Sequence, residues 1–329
     1  MTGFSGSRAV ACWRRRLLQV ALVVLGGLAW PAQAAVTVVA SFSILADLVR
    51  AVGGDAVTVT SLVEAGQDGH VFQPRPSDLT RLRDADLVVI NGLGFEGWLT
   101  RLIQSAGYRG PLVVASRGVT PLGESGAEAA APVAHGHAHD ETHTADAAGT
   151  PDPHAWQDPT RVLLYIDNIT AGLAGIDPAN AAVYHQRAAH YKAELQALDA
   201  ELRQQLAAPA GTARAVVTPH AAMAYFAQRY GIEFIAAQGA STASEPGGRE
   251  LAELIRRIRG LSSVALFTES QGVPAILRQV ARETGLPMSG RLYSDTLSPP
   301  DGPATTYLDM MRYNAHQVQQ ALQTKVTPR

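Results

Sequence analysis

The chain has 329 residues, 47% of them hydrophobic, with 27 Lys and Arg set against 29 Asp and Glu. The basic residues are scattered, which argues against a nucleic-acid surface. The one cysteine, Cys12, stands before the first apolar run, so disulfides are excluded and stability must come from a hydrophobic core.

Arg14, Arg15 and Arg16 precede an apolar run from Leu17 to Trp30, and Ala32-Gln33-Ala34 follows. A basic segment, a short apolar segment and an A-x-A site mark a secretory signal peptide. The run falls short of the roughly 20 apolar residues of a membrane span. Cleavage after Ala34 is therefore expected, giving a periplasmic chain without a lipid anchor. About 295 residues remain, enough for about two domains.

Past residue 34 the pattern alternates. Val36 to Ala40 is apolar and β-branched, the mark of a buried strand, and Ser43 to Val52 has helical spacing ending at Gly53-Gly54. Val57 to Val63 alternates as a strand, and a loop with Gly66, Gly69, Pro74 and Pro76 follows. Pro76-Ser77-Asp78 opens a helix through Ala85; a strand over 86–90 and a helix over 95–106 come next. This alternation predicts an α/β fold with mainly parallel sheets flanked by helices. Residues 117–153 break the rhythm, being rich in Ala, Gly, His, Asp and Glu. Such a stretch buries too little to offset its ordering entropy and is expected to be a mobile loop.

A helix is expected over 160–173. Asp177-Pro178 then supplies an N-cap with proline at the first helical position. The helix it starts is expected to reach Leu206, about 29 residues or roughly 43 Å. Strands at 215–217, 232–236 and 264–268 alternate with helices starting near Ala221, Pro246 and Val273. An extended segment at 291–295 and a helix over 304–323 close the chain. The expected organisation is a signal over 1–34, one α/β lobe over 35–176, a linking helix over 177–208 and a second α/β lobe over 209–329. No internal sequence repeat is visible, although the two halves share a plan.

Five of the ten histidines fall between residues 135 and 154. Four single residues stand out as candidates: His70 and His154 in loops, His220 after the strand at 215–217, and Asp295 after the last apolar segment. They lie 84, 66 and 75 positions apart, so only the fold could assemble them. In open α/β sheets ligands bind beyond the carboxyl ends of strands, where His70 and His220 are placed. Three imidazoles and one carboxylate form a tetrahedral set suited to Zn²⁺, whereas Mn²⁺ prefers more oxygen. The tract carrying His135, His137, His139 and His143 is compatible with weak, fast metal capture or with a solvated spacer. His185, His190 and His316 fall on predicted helices as ordinary surface residues. Glu269 ends the strand at 264–268 and could compete with Asp295 as fourth ligand or act as a base; a helix-cap or loop role is the plainer expectation. No His-Glu-x-x-His, Gly-x-Ser-x-Gly or Walker-type phosphate loop is present.

Several motifs in order resemble one family across nearly the whole chain after residue 34. They are Ala40-Ser41-Phe42, Gly66-x-Asp68-x-His70-x-Phe72-x-Pro74-x-Pro76-Ser77-Asp78, and Asn91-Gly92-Leu93-Gly94-Phe95-Glu96-Gly97-Trp98. Asp152-Pro153-His154-Ala155-Trp156 and Ala222-x-x-Tyr225-Phe226 follow. Glu245-Pro246, Tyr293-Ser294-Asp295-Thr296-Leu297 and Tyr307-Leu308 complete the series. The chain is similar to the metal-specific solute-binding proteins of ABC importers, the zinc/manganese class with Znu-type and Tro-type members. The resemblance implies a binding protein that is not an enzyme, with the metal in a cleft between lobes joined by one long rigid helix. It implies ligands His70 and His154 from the first lobe, with His220 and Asp295 from the second. A His-rich loop, and His220 where manganese-type members tend to carry glutamate, favour Zn²⁺ over Mn²⁺ or Fe²⁺. The implied partners are an ABC permease at the inner membrane and a periplasmic zinc metallochaperone, with the protein itself a monomer. Gly69 departs from the proline common before the first ligand, and Pro219-His220-Ala221 departs from a common His-Asp pairing. The other classes consistent with the residues are a zinc-dependent hydrolase using Glu269 and a structural surface protein.

Overall fold

The computed structural model describes residues 35–123, 151–207, 215–243, 247–269, 272–324 and 326–328. The expected signal peptide and the tract of His135, His137, His139 and His143 lie outside the described residues. From Val36 onward the chain forms one unit. Its architecture is α/β, with two four-stranded parallel sheets.

The first sheet holds β1 (Val36–Phe42), β2 (Val57–Val63), β3 (Leu87–Ile90) and β4 (Leu112–Val114), in the order β2-β1-β3-β4. Central β1 pairs Val38 with Val59 on one side and with Leu87 on the other. Its Val38 to Phe42 segment is buried throughout, which explains a continuous apolar run instead of an alternating one. Helices α1 (Ser43–Gly53), α2 (Pro76–Arg83), α3 (Leu99–Ala106) and α4 (Pro159–Ile176) belong to this half. The second sheet repeats the plan with β5 (Ala215–Thr218), β6 (Glu233–Ala236), β7 (Val264–Thr268) and β8 (Met288–Arg291), in the order β6-β5-β7-β8. Helices α6 (Ala224–Tyr230), α7 (Gly248–Arg259) and α8 (Ala275–Thr284) accompany it.

Between the halves runs α5, Ala181–Leu206, 26 residues long, or about 39 Å at 1.5 Å per residue. Its buried stripe is Tyr184, Ala188, Tyr191, Leu195, Leu198, Leu202 and Leu206, steps of three and four residues that keep one face inward. The last helix, α9 (Tyr307–Gln323), packs along α5 and reaches α1.

The second sheet shows how closely the halves are joined. Val216, Ala265 and Phe267 on one face share a core with β1, α1, α4 and α5. Ala215, Val217, Val264 and Leu266 point the other way, onto Ile255, Ile258, Leu277 and Val280. The period-two alternation of side chains thus sends half of each central strand into the common core.

Several boundaries differ from the sequence reading. The linking helix starts at Ala181 because Pro178–Asn180 forms a 3₁₀ turn. The Asp177 carboxylate accepts from Asn180 Nδ2 at 2.7 Å and Tyr184 Oη at 2.6 Å, with no backbone cap from its side chain. Helix α3 starts at Leu99, not Phe95: Gly92, Leu93 and Gly94 have φ of 86°, 55° and 82°, outside right-handed helical space, and Phe95 to Trp98 follow as a bend and a turn. Strand β8 runs over Met288–Arg291, starting three residues before the extended segment expected at 291–295, and the chain from Leu292 to Asp295 is a non-strand crossing. Of the loop expected over 117–153, Val119 and residues 152–153 are buried, and Asp152 N donates to Leu122 O at 2.9 Å. Among the described residues no helix is long and apolar enough to cross a membrane.

One carboxylate couples α1 to α9. Tyr307 N donates to Asp47 Oδ2 at 2.7 Å, so a lobe-one side chain receives the first N–H of the last helix. Burial pushes the Asp47 carboxyl up to about 6, against the pull of this hydrogen bond. A raised folded-state value means that Asp47 contributes stability in full below about pH 4 and loses it as pH rises through about 6. Asp47→Asn should therefore melt above the parent at pH 8, with the difference closing by about pH 4 in thermal scans of metal-free protein.

Candidate metal centre

Each candidate side chain hangs from a loop at the carboxyl end of a strand or ahead of a helix, and each is held by its own partners. His70 lies between β2 and α2. Asp68 Oδ1 accepts from His70 N at 2.9 Å, and Trp98 Nε1 donates to Gly69 O at 2.8 Å. A Cβ at Gly69 would stand 2.6 Å from Phe95 Cζ. The ligand loop therefore lies too close to the Phe95 ring for a side chain there, which accounts for glycine in place of proline.

His154 repeats the device. Asp152 Oδ1 accepts from His154 N at 2.9 Å and pairs with its Nδ1 at 2.8 Å. The preceding carbonyl, Pro153 O, accepts from Asn91 Nδ2 at 3.0 Å, and Asn91 Oδ1 accepts from Tyr165 Oη at 2.7 Å. Glu96, buried behind this turn, accepts from Ser41 Oγ, Asn91 N and Gly92 N at 2.6, 2.6 and 3.2 Å. Burial raises its carboxyl above the usual range, and these donors oppose the rise. The three left-handed residues at 92–94 bring the chain round so that Glu96 can reach them.

His220 follows β5. Its Nδ1 lies 2.7 Å from Glu269 Oε2, at the end of β7, and its carbonyl accepts from Thr218 Oγ1 at 3.0 Å. Asp295 sits beyond β8, with the carbonyl before it taking two donors: Trp156 Nε1 at 2.8 Å and Gln157 Nε2 at 2.6 Å.

The four side chains converge. Their donor atoms all lie within 4.8 Å of one another. His70 Nε2 is 3.2 Å from His154 Nε2 and 3.4 Å from Asp295 Oδ2. His154 Nε2 is 3.5 Å from Asp295 Oδ1, and His220 Nε2 is 2.9 Å from Asp295 Oδ2. Donors about 2.0–2.1 Å from a tetrahedral ion stand about 3.3 Å apart, close to the four distances just given, although the whole donor group spans up to 4.8 Å. His220 Nε2 and Asp295 Oδ1 are buried without a hydrogen-bond partner. Two orphaned polar atoms facing one point are a costly arrangement unless an ion satisfies them.

Charge reinforces the geometry. Burial by itself would lower the His220 imidazolium, but Glu269 and Asp295 together raise it well above the usual value. Burial likewise opposes the Asp295 carboxylate, yet His220 and His154 hold it well below the usual range. The Glu269 carboxyl is raised by burial, with His220 pulling it back. Without a metal, a proton on His220 thus neutralises part of a buried anionic cluster; a divalent cation would displace it.

All four residues singled out in the sequence meet here. Glu269 does not join the donor group; it lies behind His220, on the far nitrogen of the ring. His185, His190 and His316 are exposed. Asp68 and Asp152 appear in the sequence motifs without an assigned role, although Asp-x-His occurs at both His70 and His154. A carboxylate two residues before a histidine can take the histidine N–H in a tight local turn. That repeated tripeptide was the available signal.

A family model described as "Zinc-uptake complex component A periplasmic" matches residues 38–321. The chain is 31% identical over 274 residues to the iron-binding protein YfeA of Yersinia pestis, covering 83% of this chain and 82% of the relative. It is 28% identical over 278 residues to the manganese-binding lipoprotein MntA of Halalkalibacterium halodurans, with 84% and 85% covered. Among solved structures, the periplasmic zinc-binding protein TroA of Treponema pallidum aligns with a TM-score of 0.74 and 26% identity, over 88% of this chain and 99% of that one.

Metal uptake at this centre should release a proton from His220. Between pH 8 and pH 6 the apparent dissociation constant should rise by up to about tenfold per unit and per proton released. Glu269→Gln should weaken binding by about 10- to 100-fold and flatten this pH dependence. Chelator competition at several pH values checks both.

Proposed function

Because the chain belongs to the family described as the periplasmic component A of zinc-uptake complexes, whose members are the metal-binding components of ABC importers and not enzymes, we propose that its cargo is Zn²⁺, held by His70, His154, His220 and Asp295. The observation that carries this reading is the convergence of three imidazoles and one carboxylate with donor atoms within 4.8 Å of one another. The donor set is rich in nitrogen and has a single carboxylate, which suits zinc better than the oxygen-preferring Mn²⁺. Relatives named for iron and manganese make Fe²⁺ and Mn²⁺ the rival cargoes.

Function here is capture and release without turnover. Four protein donors leave no open position for a reacting water, and Glu269 is engaged as the partner of His220. An extracytoplasmic protein of this class works with a membrane permease and its ATPase. We further propose export by the segment 1–34 with cleavage after Ala34, action as a monomer, and loading by a periplasmic zinc metallochaperone. His135, His137, His139 and His143 would add weak, exchanging metal capture outside the main site.

The test is titration of the stripped chain from Ala35 with Zn²⁺, Fe²⁺ and Mn²⁺ against a chromophoric chelator, in parallel with a variant lacking residues 135–143. One tight zinc equivalent should persist after the deletion, with only weaker equivalents lost. Tight binding that disappears with the deleted segment would refute the four-residue site, and tighter Fe²⁺ or Mn²⁺ than Zn²⁺ would overturn the cargo.

A further inference from the structure

Chain order places His220 and Asp295 together in the second half, yet the hydrogen bonds divide the donors differently. The chain leaves the second sheet at Leu292, whose N donates to Thr268 O at 2.9 Å. Tyr293 is held by Asn314 of α9, and from Ser294 to Leu297 the partners come from the first half, apart from the approach of the Asp295 carboxylate to His220. Ser294 O takes Trp156 Nε1 and Gln157 Nε2. Thr296 Oγ1 accepts from Gly66 N at 2.8 Å and lies 3.2 Å from Ser43 Oγ, and Leu297 N donates to Ser43 Oγ at 3.0 Å. Downstream, Tyr307 N donates to Asp47, and Tyr307 Oη donates to Trp156 O at 2.8 Å. The segment carrying Asp295 is thus fastened to the loop after β2, to α1 and to the turn before α4, the same body that carries His70 and His154.

The His220 side chain and carbonyl are held by Glu269 and Thr218, and the next residue, Ala221, donates its N to Gly239 O at 3.1 Å. All of these belong to the second sheet and its loops. Toward the first body its Nε2 lies 2.9 Å from Asp295 Oδ2, and its ring meets those of His70 and His154 edge-on at centroid distances of 5.5 and 5.4 Å. Close to the centre, the two bodies are also linked by Thr242 Oγ1 donating to Asp68 Oδ2 at 2.8 Å. Farther back, Tyr225 Oη donates to Asp152 O at 2.8 Å.

We infer that the centre is built as three plus one: His70, His154 and Asp295 form a fixed triad on the first body, and His220 is the exchangeable fourth ligand carried by the second. This rests on the metal-binding reading above. Two histidines and one carboxylate on one rigid support are a ligand set that holds a divalent ion with open positions. Metal therefore enters onto the triad, His220 closes the tetrahedron, and release begins when His220 withdraws with Glu269. The Thr242–Asp68 bond restrains that step.

Co²⁺ loaded into the chain from Ala35 reports both stoichiometry and coordination number. The parent should show the intense visible bands of a four-coordinate ion. His220→Ala should still bind one equivalent, with those bands collapsed to a five- or six-coordinate spectrum and release to chelator at least about tenfold faster. Asp295→Ala should fail to bind at a concentration that saturates His220→Ala. Thr242→Val, a change at a half-buried position that leaves every donor in place, should keep the parent spectrum and release metal several-fold faster. A His220→Ala protein that folds by circular dichroism yet binds no better than Asp295→Ala would overturn the partition, as would unchanged release from Thr242→Val. A parent that binds no Co²⁺ or Zn²⁺ would instead remove the metal-binding reading itself.

Discussion

A carboxylate with almost no access to water sits among three imidazoles, and the local structure around it serves that contact. Asp295 is 1% exposed, and its oxygens meet His70, His154 and His220 at 2.9 to 3.5 Å. Burying a charge is costly unless partners offset it. The imidazoles stabilise the anion, and each has its own restraint: Asp152 and Glu269 on two rings, and the Asp68 turn and the Phe95 face on the His70 loop. Two carboxylates on the far ring nitrogens fix which nitrogens face the ion and raise their basicity. The result is a concentration of negative charge that a divalent cation relieves.

Rigidity around the centre comes from two sources of different character. One is apolar: the inner face of the second sheet, α5 and α9 share a core with the first sheet, so large separation of the lobes would expose buried surface at about 25 cal/mol per Å². The other is polar and local: Trp156, Gln157, Ser43 and Gly66 grip the segment from Ser294 to Leu297. The first confines the motion to small displacements. The second decides which donor moves, because a segment satisfied by one body travels with that body.

The two halves share a strand order without sharing a sequence repeat, and they contribute unequally. Both Asp-x-His turns lie in the first half, where a carboxylate two residues upstream sets the histidine backbone. The second half uses a carboxylate 49 residues away for His220. The Asp-x-His pairs need only a local turn, whereas the His220–Glu269 pair requires β5 and β7 to be adjacent.

Much of the architecture was readable from residue order. Buried parallel strands such as 36–42 and 264–268 announce themselves as short β-branched or apolar runs, since helices cover both faces. Helix boundaries were less legible where side chains overrode the pattern, as at Asp177 and at the left-handed turn of Gly92, Leu93 and Gly94. Strand β4, three residues on a sheet edge, is too short to carry a period. For the centre, residue type singled out His70, His154, His220 and Asp295, position after strands supported His70 and His220, and the family resemblance implied the four as one ligand set. Distances spanning 84, 66 and 75 residues carry no local geometry. Only the packed sheets brought the four donors within 4.8 Å, set Glu269 behind His220 instead of beside the ion, and joined Asp295 to the first body. Side-chain chemistry is a property of the sequence; which hydrogen bonds a crossing segment finds is decided by the surfaces it meets.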